Sequence, residues 1–257
     1  MFNQMELPHA DALVNTWERV HWDSEFLGYE VSRLQAMALH ADELRRVMAS
    51  ARKAGQRLMY VVAAPDDALS NASARQVGAW LADRKVTFCT VVPLETAGEP
   101  LSRFVRSATQ LTTALESLAL QSGEFSRFRL DPRFEPTVYA RLYRQWLRNS
   151  LNHRLAQEVL IVEFPKAPIQ GPAQELGLLT LGVKHQRAAI GLLAVDEPSR
   201  GQGIGQQLVK AAKQRTAAWG LQELQVVTQL DNARACTFYR RCGFQEAAVE
   251  HVYHLWL

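Results

Sequence analysis

The stretch Ala188-Ala189-Ile190-Gly191-Leu192-Leu193-Ala194-Val195-Asp196-Glu197-Pro198-Ser199-Arg200-Gly201-Gln202-Gly203-Ile204-Gly205-Gln206-Gln207-Leu208 decides the fold. An apolar run, 188–195, ends in a proline-containing turn, and a glycine-punctuated loop then feeds an amphipathic segment. That order reads as strand, tight loop and helix. Glycines at 201, 203 and 205 let the backbone approach a ligand closely, and the first amides of the helix have no partner within it. The positive end of the helix dipole lies at the same place, so a phosphate or pyrophosphate is the natural occupant.

Spacing narrows the ligand. A phosphate-binding Walker loop needs a lysine followed by Ser or Thr, and none stands here. A dinucleotide fingerprint needs a third glycine where Gln206 stands and an acidic strand end near 225, and both are missing. What remains is Arg200-x-x-Gly203-x-Gly205 behind an apolar strand. The helix stops at Trp219-Gly220, and 221–228 alternates as a strand. Next comes Asp231-Asn232-Ala233-Arg234-Ala235-Cys236-Thr237-Phe238-Tyr239-Arg240-Arg241-Cys242-Gly243-Phe244. These two motifs, in this order and at this distance, resemble those of the GCN5-related N-acetyltransferase (GNAT) superfamily.

The rest of the chain suits such a protein. Of 257 residues, 47% are hydrophobic and 21% charged, as in a globular protein of one or two domains. A formal net charge of +3, without a basic block interleaved with stacking aromatics, predicts no nucleic-acid partner. Cys89, Cys236 and Cys242 form no C-x-x-C pair, which fits a reducing compartment. The spacing of the last two suits packing rather than zinc, so no metal is expected. Residues 1–13 carry Glu6 and Asp11 and no basic start, and no apolar run reaches the eighteen or so residues that span a bilayer. The expectation is therefore no signal peptide, no membrane partner and a cytoplasmic location.

Pattern and punctuation divide the chain into an N-terminal α/β domain over 1–115 and a second domain over 120–257. In the first, 41–55 and 73–83 read as helices and 57–64 and 85–92 as strands; 93–100 is a loop. In the second, 137–151 is a helix with Tyr139, Leu142, Tyr143, Trp146 and Leu147 on one face. Arg141, Arg144 and Arg148 fall largely on the other, as a solvated face. Strands are expected over 158–164, 175–183, 188–195 and 249–256, with a loop around Pro165, Pro168 and Pro172. His251 and His254 stand three apart on a strand and face opposite sides, so they share no ligand. No fixed-period repeat is present, and whether the first half is a decayed copy of the second stays open.

The resemblance implies more than the residues do. It implies a fold of class α/β (α+β): a central mixed, mostly antiparallel sheet with flanking helices, preceded by the smaller N-terminal domain. Trp22-Asp23-Ser24-Glu25-Phe26-Leu27-Gly28, Ser126-Arg127-Phe128-Arg129 and Tyr143-Arg144-Gln145-Trp146-Leu147-Arg148-Asn149-Ser150 are similar to the bacterial TDP-fucosamine acetyltransferase group within GNAT. That likeness implies acetyl-CoA as cosubstrate and a small-molecule nucleotide sugar as acceptor, acetylated on its amino group, with a homodimer as the assembly. The donor would lie where the strand ending at Val195 and the strand ending at Thr228 splay. Backbone groups of Leu193 and Val195 would bond the pantetheine arm, amides of Gly201, Gln202, Gly203, Ile204 and Gly205 would hold the pyrophosphate, and Arg200 would add charge. Asn232 either caps its helix or bonds the pantetheine. Tyr239 would give the leaving thiolate its proton, since a phenol is protonated at neutral pH. Arg127 or Arg129 would meet the acceptor's diphosphate through a planar guanidinium. Glu175, Glu197 and Glu223 are available as bases, and nothing selects among them. A peptide amine or aminoglycoside acceptor, or acyl-CoA binding without catalysis, are the alternative readings.

Overall fold

The computed structural model describes residues 15–164 and 174–257. The readings of 1–13 and of the proline loop lie outside the described residues, apart from their flanks. Two compact units emerge. The first holds the described residues up to 86 with 229–231 and 248–257, and the second those of 87–228 with 232–247. Among the described residues, no helix is long and apolar enough to cross a membrane.

The first unit runs β1 (Trp17–Arg19), α1 (His21–Leu27), β2 (Val31–Gln35), α2 (Ala41–Lys53), β3 (Leu58–Ala63), α3 (Ala68–Gln76) and the start of β4 (Trp80–Val91). Strand β1 is antiparallel to β2, and β2 is parallel to β3. All six residues of β3 are buried, as befits a strand covered on both faces. Helix α2 buries Leu44, Met48 and Ala51, spaced to share one face, against a core with Leu34, Met59, Val61 and Tyr253. The helix expected over 73–83 lies earlier. Asp67 caps α3 by accepting from the Ser70 amide at 2.9 Å, and Gly78, at φ +84°, ends the helical path. Val77 and Leu81 share a helical spacing, yet the left-handed glycine between them sends Trp80 onward into a strand.

The second unit contains the end of β4, a 3₁₀ turn (Leu94–Gly98), β5 (Val105–Ser107), α4 (Thr113–Ser122), α5 (Arg127–Leu130) and α6 (Pro136–Leu151). Then come β6 (Glu158–Phe164), β7 (Gln174–Lys184), β8 (Arg187–Val195), α7 (Ile204–Ala218), β9 (Glu223–Gln229, its last residue in the first unit), α8 (Ala233–Arg241) and the start of β10 (Gln245–Trp256). Strands β5, β6, β7 and β8 pair antiparallel in succession, and β8 is parallel to β9. The sheet is mixed and mostly antiparallel with flanking helices, as the sequence led one to expect.

One order of elements occurs twice. The run β2-α2-β3-α3-β4 has the same succession as β8-α7-β9-α8-β10, each opening with a parallel strand pair. Helices α3 and α8 are 9 residues each, and β4 and β10 are 12 each. Gly55 and Gly220 come after the first helix of each run, Gly78 and Gly243 after the second, all at positive φ. The final strand does not stay with its own half: His251 to Trp256 pair antiparallel with Ala63 to Leu58 of β3, inside the first unit.

Candidate active site

The site in the second unit starts from a strand that leaves its neighbour. Pairing of β8 with β9 runs Ala188↔Leu224, Ala189↔Gln225, Ile190↔Val226 and stops there. On its other side β8 stays with β7 as far as Val195↔Gly177. Between those limits the β7 register shifts, so that Gly191 and Leu192 together oppose Thr180. Such a bulge bends the strand and re-aims its C-terminal residues. The Leu192 amide donates to Thr180 Oγ1 at 2.8 Å. A Cβ at Gly191 would lie 2.7 Å from that oxygen and 3.3 Å from Trp146 Nε1, so glycine lets the indole of α6 rest on the bulge. We expect Gly191→Val to displace Trp146 and lower thermal stability, by about 1–3 kcal/mol for such overpacking; unchanged unfolding in urea would contradict this packing.

Backbone direction is set by the same bonds. Leu192 faces β7 through Thr180, and the Asp196 amide donates to the Leu176 carbonyl at 2.9 Å. Backbone groups alternate along a strand, so Leu193 and Val195 face the other way, toward the side where pairing with β9 has ended.

The loop at the end of β8 needs its glycines for two separate reasons. Gly201 and Gly203 sit at φ +83° and +77°, where a side chain is strained. Gly205 has ordinary helical geometry, but a Cβ there would meet the Phe238 ring at 3.1 Å and Val195 Cγ2 at 3.6 Å. The Gln207 amide, bonded to the Gly203 carbonyl at 3.1 Å, makes the first bond along α7. Amides of Ile204, Gly205 and Gln206 therefore precede it, Gly203 supplies no side-chain cap, and no acid stands in the first turn. This is a cradle of main-chain donors suited to an anion.

Arg200 has another engagement than the one expected from its charge. Its Nε donates to the Val195 carbonyl at 3.0 Å and a terminal nitrogen to Gln121 Oε1 at 3.3 Å. Gln121 also donates to Asp196 Oδ1 at 3.3 Å. The guanidinium thus ties the loop to the strand end and to α4. Asn232 caps α8, its Oδ1 accepting from the Ala235 amide at 3.0 Å.

Tyr239 is 5% exposed. Its ring centroid lies 5.9 Å from Phe88, 5.3 Å from Phe238 and 5.6 Å from Phe244. Phe238, against Gly205, brings this part of α8 beside the first turn of α7. Burial, with a smaller contribution from Cys242 and Cys236, pushes the Tyr239 hydroxyl well above the ordinary phenol range, so it stays protonated at neutral pH.

Arg127 and Arg129 stand on α5. The first lies over the Phe128 ring at 5.0 Å and the second over Tyr139 at 5.6 Å. From Tyr139 a row of rings continues along α6, to Tyr143 at 5.0 Å and then Trp146 at 5.9 Å. Arg129 and the β8 bulge therefore bound one aromatic row. On the other face of α6, Arg144 and Arg148 reach Glu116 of α4 at 3.5 and 3.3 Å, so that face is not simply solvated. Among the carboxylates, Glu223 pairs with Arg187 at 2.5 Å, at the end where β8 and β9 are still joined. Glu175 accepts from Thr112 and lies 3.7 Å from Arg106, and Glu197 is exposed. In the first unit, His251 Nδ1 is 2.7 Å from Asn71 Oδ1, while His254 is buried against the Tyr60 and Trp80 rings. Among the described residues, no group of three or more His, Cys, Asp or Glu is arranged for a metal. The sequence does not mark Gln121, Thr180 or Trp146 as parts of a site, because their roles depend on partners far away in the chain.

Comparison with known proteins agrees with this geometry. Residues 167–244 match the model of the Acetyltransferase (GNAT) family. The spore coat polysaccharide biosynthesis protein SpsD of Bacillus subtilis (strain 168) is 30% identical over 152 residues, 56% of this chain and 47% of that protein. A mycothiol acetyltransferase of Clavibacter michiganensis subsp. michiganensis is 36% identical over 77 residues, 30% of this chain and 25% of that protein. The chain thus spans less than half the length of these curated relatives. The crystal structure of a GCN5-related N-acetyltransferase from Sphaerobacter thermophilus superposes with a TM-score of 0.56 at 12% identity, covering 93% of this chain and 76% of that one. With the splayed strand, the glycine loop and α8 inside the matched segment, that segment is similar to the Acetyltransferase (GNAT) family, and the chain has the fold of a solved GNAT protein.

Proposed function

We propose that this protein is an acetyl-CoA-dependent N-acetyltransferase whose acceptor is the amino group, at position 4, of a TDP-linked amino-deoxysugar such as TDP-fucosamine. One observation carries the transferase reading: Leu193 and Val195 face a side of β8 where pairing with β9 has ended, with a main-chain anion cradle at its end and Phe238, the neighbour of Tyr239 in α8, against the cradle's helix. The acceptor rests on the likeness to the TDP-fucosamine group, and the polysaccharide role in the SpsD name supports it. Residues 120–257 would form the catalytic domain and 1–115 an accessory one, in a cytoplasmic homodimer.

In this reading the main chain of Leu193 and the amide of Val195, whose carbonyl is held by Arg200, bond the pantetheine arm as a further strand would. Amides from Gly201 to Gly205 take the pyrophosphate, and Arg200 holds the loop in place through Val195. Asn232 fixes the start of α8. The acceptor nitrogen attacks the thioester carbonyl; the new C–N bond forms, the C–S bond breaks, and the thiolate takes the Tyr239 proton. The proton lost by the amine goes to water, from which Tyr239 regains its own.

Incubation with acetyl-CoA and a panel of nucleotide sugars, free amino sugars, aminoglycosides and peptides, monitored by free thiol, tests this directly. Thiol release with a TDP-amino-sugar supports the proposal. Release only with peptides or aminoglycosides would move the acceptor, and binding of acetyl-CoA without release would leave a non-catalytic binder. Arg127→Gln and Arg129→Gln are expected to raise the KM of the acceptor about 10- to 100-fold, the scale of a charge-assisted hydrogen bond, without changing that of acetyl-CoA. Equal changes for both substrates would remove them from the acceptor side.

The pH profile has a definite sign. Because burial raises the Tyr239 pKa, its proton remains in place beyond the ordinary tyrosine value of about 10. The rate should therefore rise with pH as the acceptor amine loses its proton and show no falling limb between pH 7 and 9. A falling limb in that window that vanishes in Tyr239→Phe would keep Tyr239 as the acid and refute the upward shift of its pKa.

A further inference from the structure

The duplicated order of elements has a consequence for ligand binding. We propose that the first unit is a copy of the donor-binding half in which the anion position is filled by the protein's own Asp67 carboxylate, so that the chain takes a single acetyl-CoA. This rests on the transferase reading above.

The correspondence is positional. The loop between β2 and α2 occupies the place of the glycine loop between β8 and α7, and Ala38, at φ +46°, is left-handed as Gly201 is. Asp67 is the cap of α3 as Asn232 is the cap of α8, each accepting from the amide three residues on. From there the two differ. The second oxygen of Asp67 accepts from the Ala38 amide at 2.9 Å, and Ser70 Oγ accepts from the Leu39 amide at 2.8 Å. Two loop donors that would face an incoming diphosphate, the amides of Ala38 and Leu39, are thus already bonded within the unit. In the second unit the cap is a neutral amide with one acceptor oxygen, and Ala235, in the place of Ser70, has no hydroxyl to offer a loop.

Charge points the same way. The first turn of α2 carries Asp42 and Glu43, which repel a phosphate, whereas that of α7 carries no acid. Burial opposes ionisation of Asp67, yet the bonds from Ser70 and from the Ala38 and Leu69 amides outweigh it and hold the carboxyl below its ordinary value. A permanent anion therefore sits where the copy would otherwise receive one.

Amide hydrogen exchange on the full chain, with titration calorimetry using acetyl-CoA, tests the proposal. Ala38 and Leu39 should be protected before any ligand is added and unchanged by acetyl-CoA, while residues 201–206 gain protection. In Asp67→Ala the Ala38 amide should exchange at least about tenfold faster, the loss expected for one hydrogen bond of about 1.4 kcal/mol. Should that variant not fold, Asp67→Ser, which still caps α3 but is too short to reach Ala38, replaces it. Calorimetry should give one equivalent per chain in the parent. Two equivalents in the parent, added protection at 38–39 of the parent on acetyl-CoA, or unaltered exchange of Ala38 in the variant would each overturn it. If no acetyl-CoA binds at all, the transferase reading falls, while exchange at 38–39 still decides whether Asp67 fills the loop.

Discussion

Replacement of Tyr239 by phenylalanine is expected to lower kcat by about 10²- to 10⁴-fold, the usual contribution of a positioned general acid, with little change in acetyl-CoA affinity. The substitution removes a hydroxyl and leaves the ring, so the contacts with Phe88, Phe238 and Phe244 survive. Stability should therefore change far less than turnover, and this separates a proton donor from a ring kept for packing. Steady-state kinetics together with calorimetric titration of acetyl-CoA make the measurement. A kcat within about threefold of the parent, far short of the loss of a general acid, would remove Tyr239 from the mechanism and leave it a core residue.

The second large effect is expected at Gly205. A valine there brings Cβ to 3.1 Å from the Phe238 ring, and its branches reach further still. Phe238 must then move, and Tyr239 moves with it in the same helix, so donor affinity and kcat should fall together. Overpacking of this kind costs about 1–3 kcal/mol, which corresponds to roughly a 5- to 150-fold loss in acetyl-CoA affinity if it falls on the bound state. Gly201→Ala is the informative contrast, because nothing lies within 4 Å of the added Cβ and only the positive φ is strained. That variant should weaken acetyl-CoA binding while kcat at saturation stays near the parent value. An affinity for acetyl-CoA equal to the parent's in Gly205→Val would show that the loop and α8 do not act together.

Local chemistry was legible because it is written in single residues. Glycines at 201 and 203 announced a loop, and both prove left-handed; the apolar run before them announced a strand, and the Asn232-to-Phe244 segment a helix, of which Asn232 proves the cap. The helix expected over 73–83 shows the limit of such reading. Apolar spacing at 77 and 81 fits a helix, but Gly78 and the Asp67 cap set where α3 begins and ends. Periodicity reports the surroundings of a side chain and stays silent about the direction in which the backbone turns.

By itself the sequence determined a strand, a glycine loop and a helix, then a second motif carrying a tyrosine, and with them the resemblance to the GNAT superfamily. Only the tertiary structure decided that β8 leaves β9 after Ile190, that Thr180 faces two residues of β8, and that Trp146 lies on Gly191. It also decided that Arg200 turns back to Val195, that β10 pairs with β3, and that Asp67 occupies the Ala38 loop. Most of these are contacts between residues distant in the chain. Loop φ angles and helix caps are set within a few residues by sterics and one or two hydrogen bonds. Strand partners and buried contacts are chosen by the free energy of the whole packed unit, to which every element contributes and which no single stretch contains.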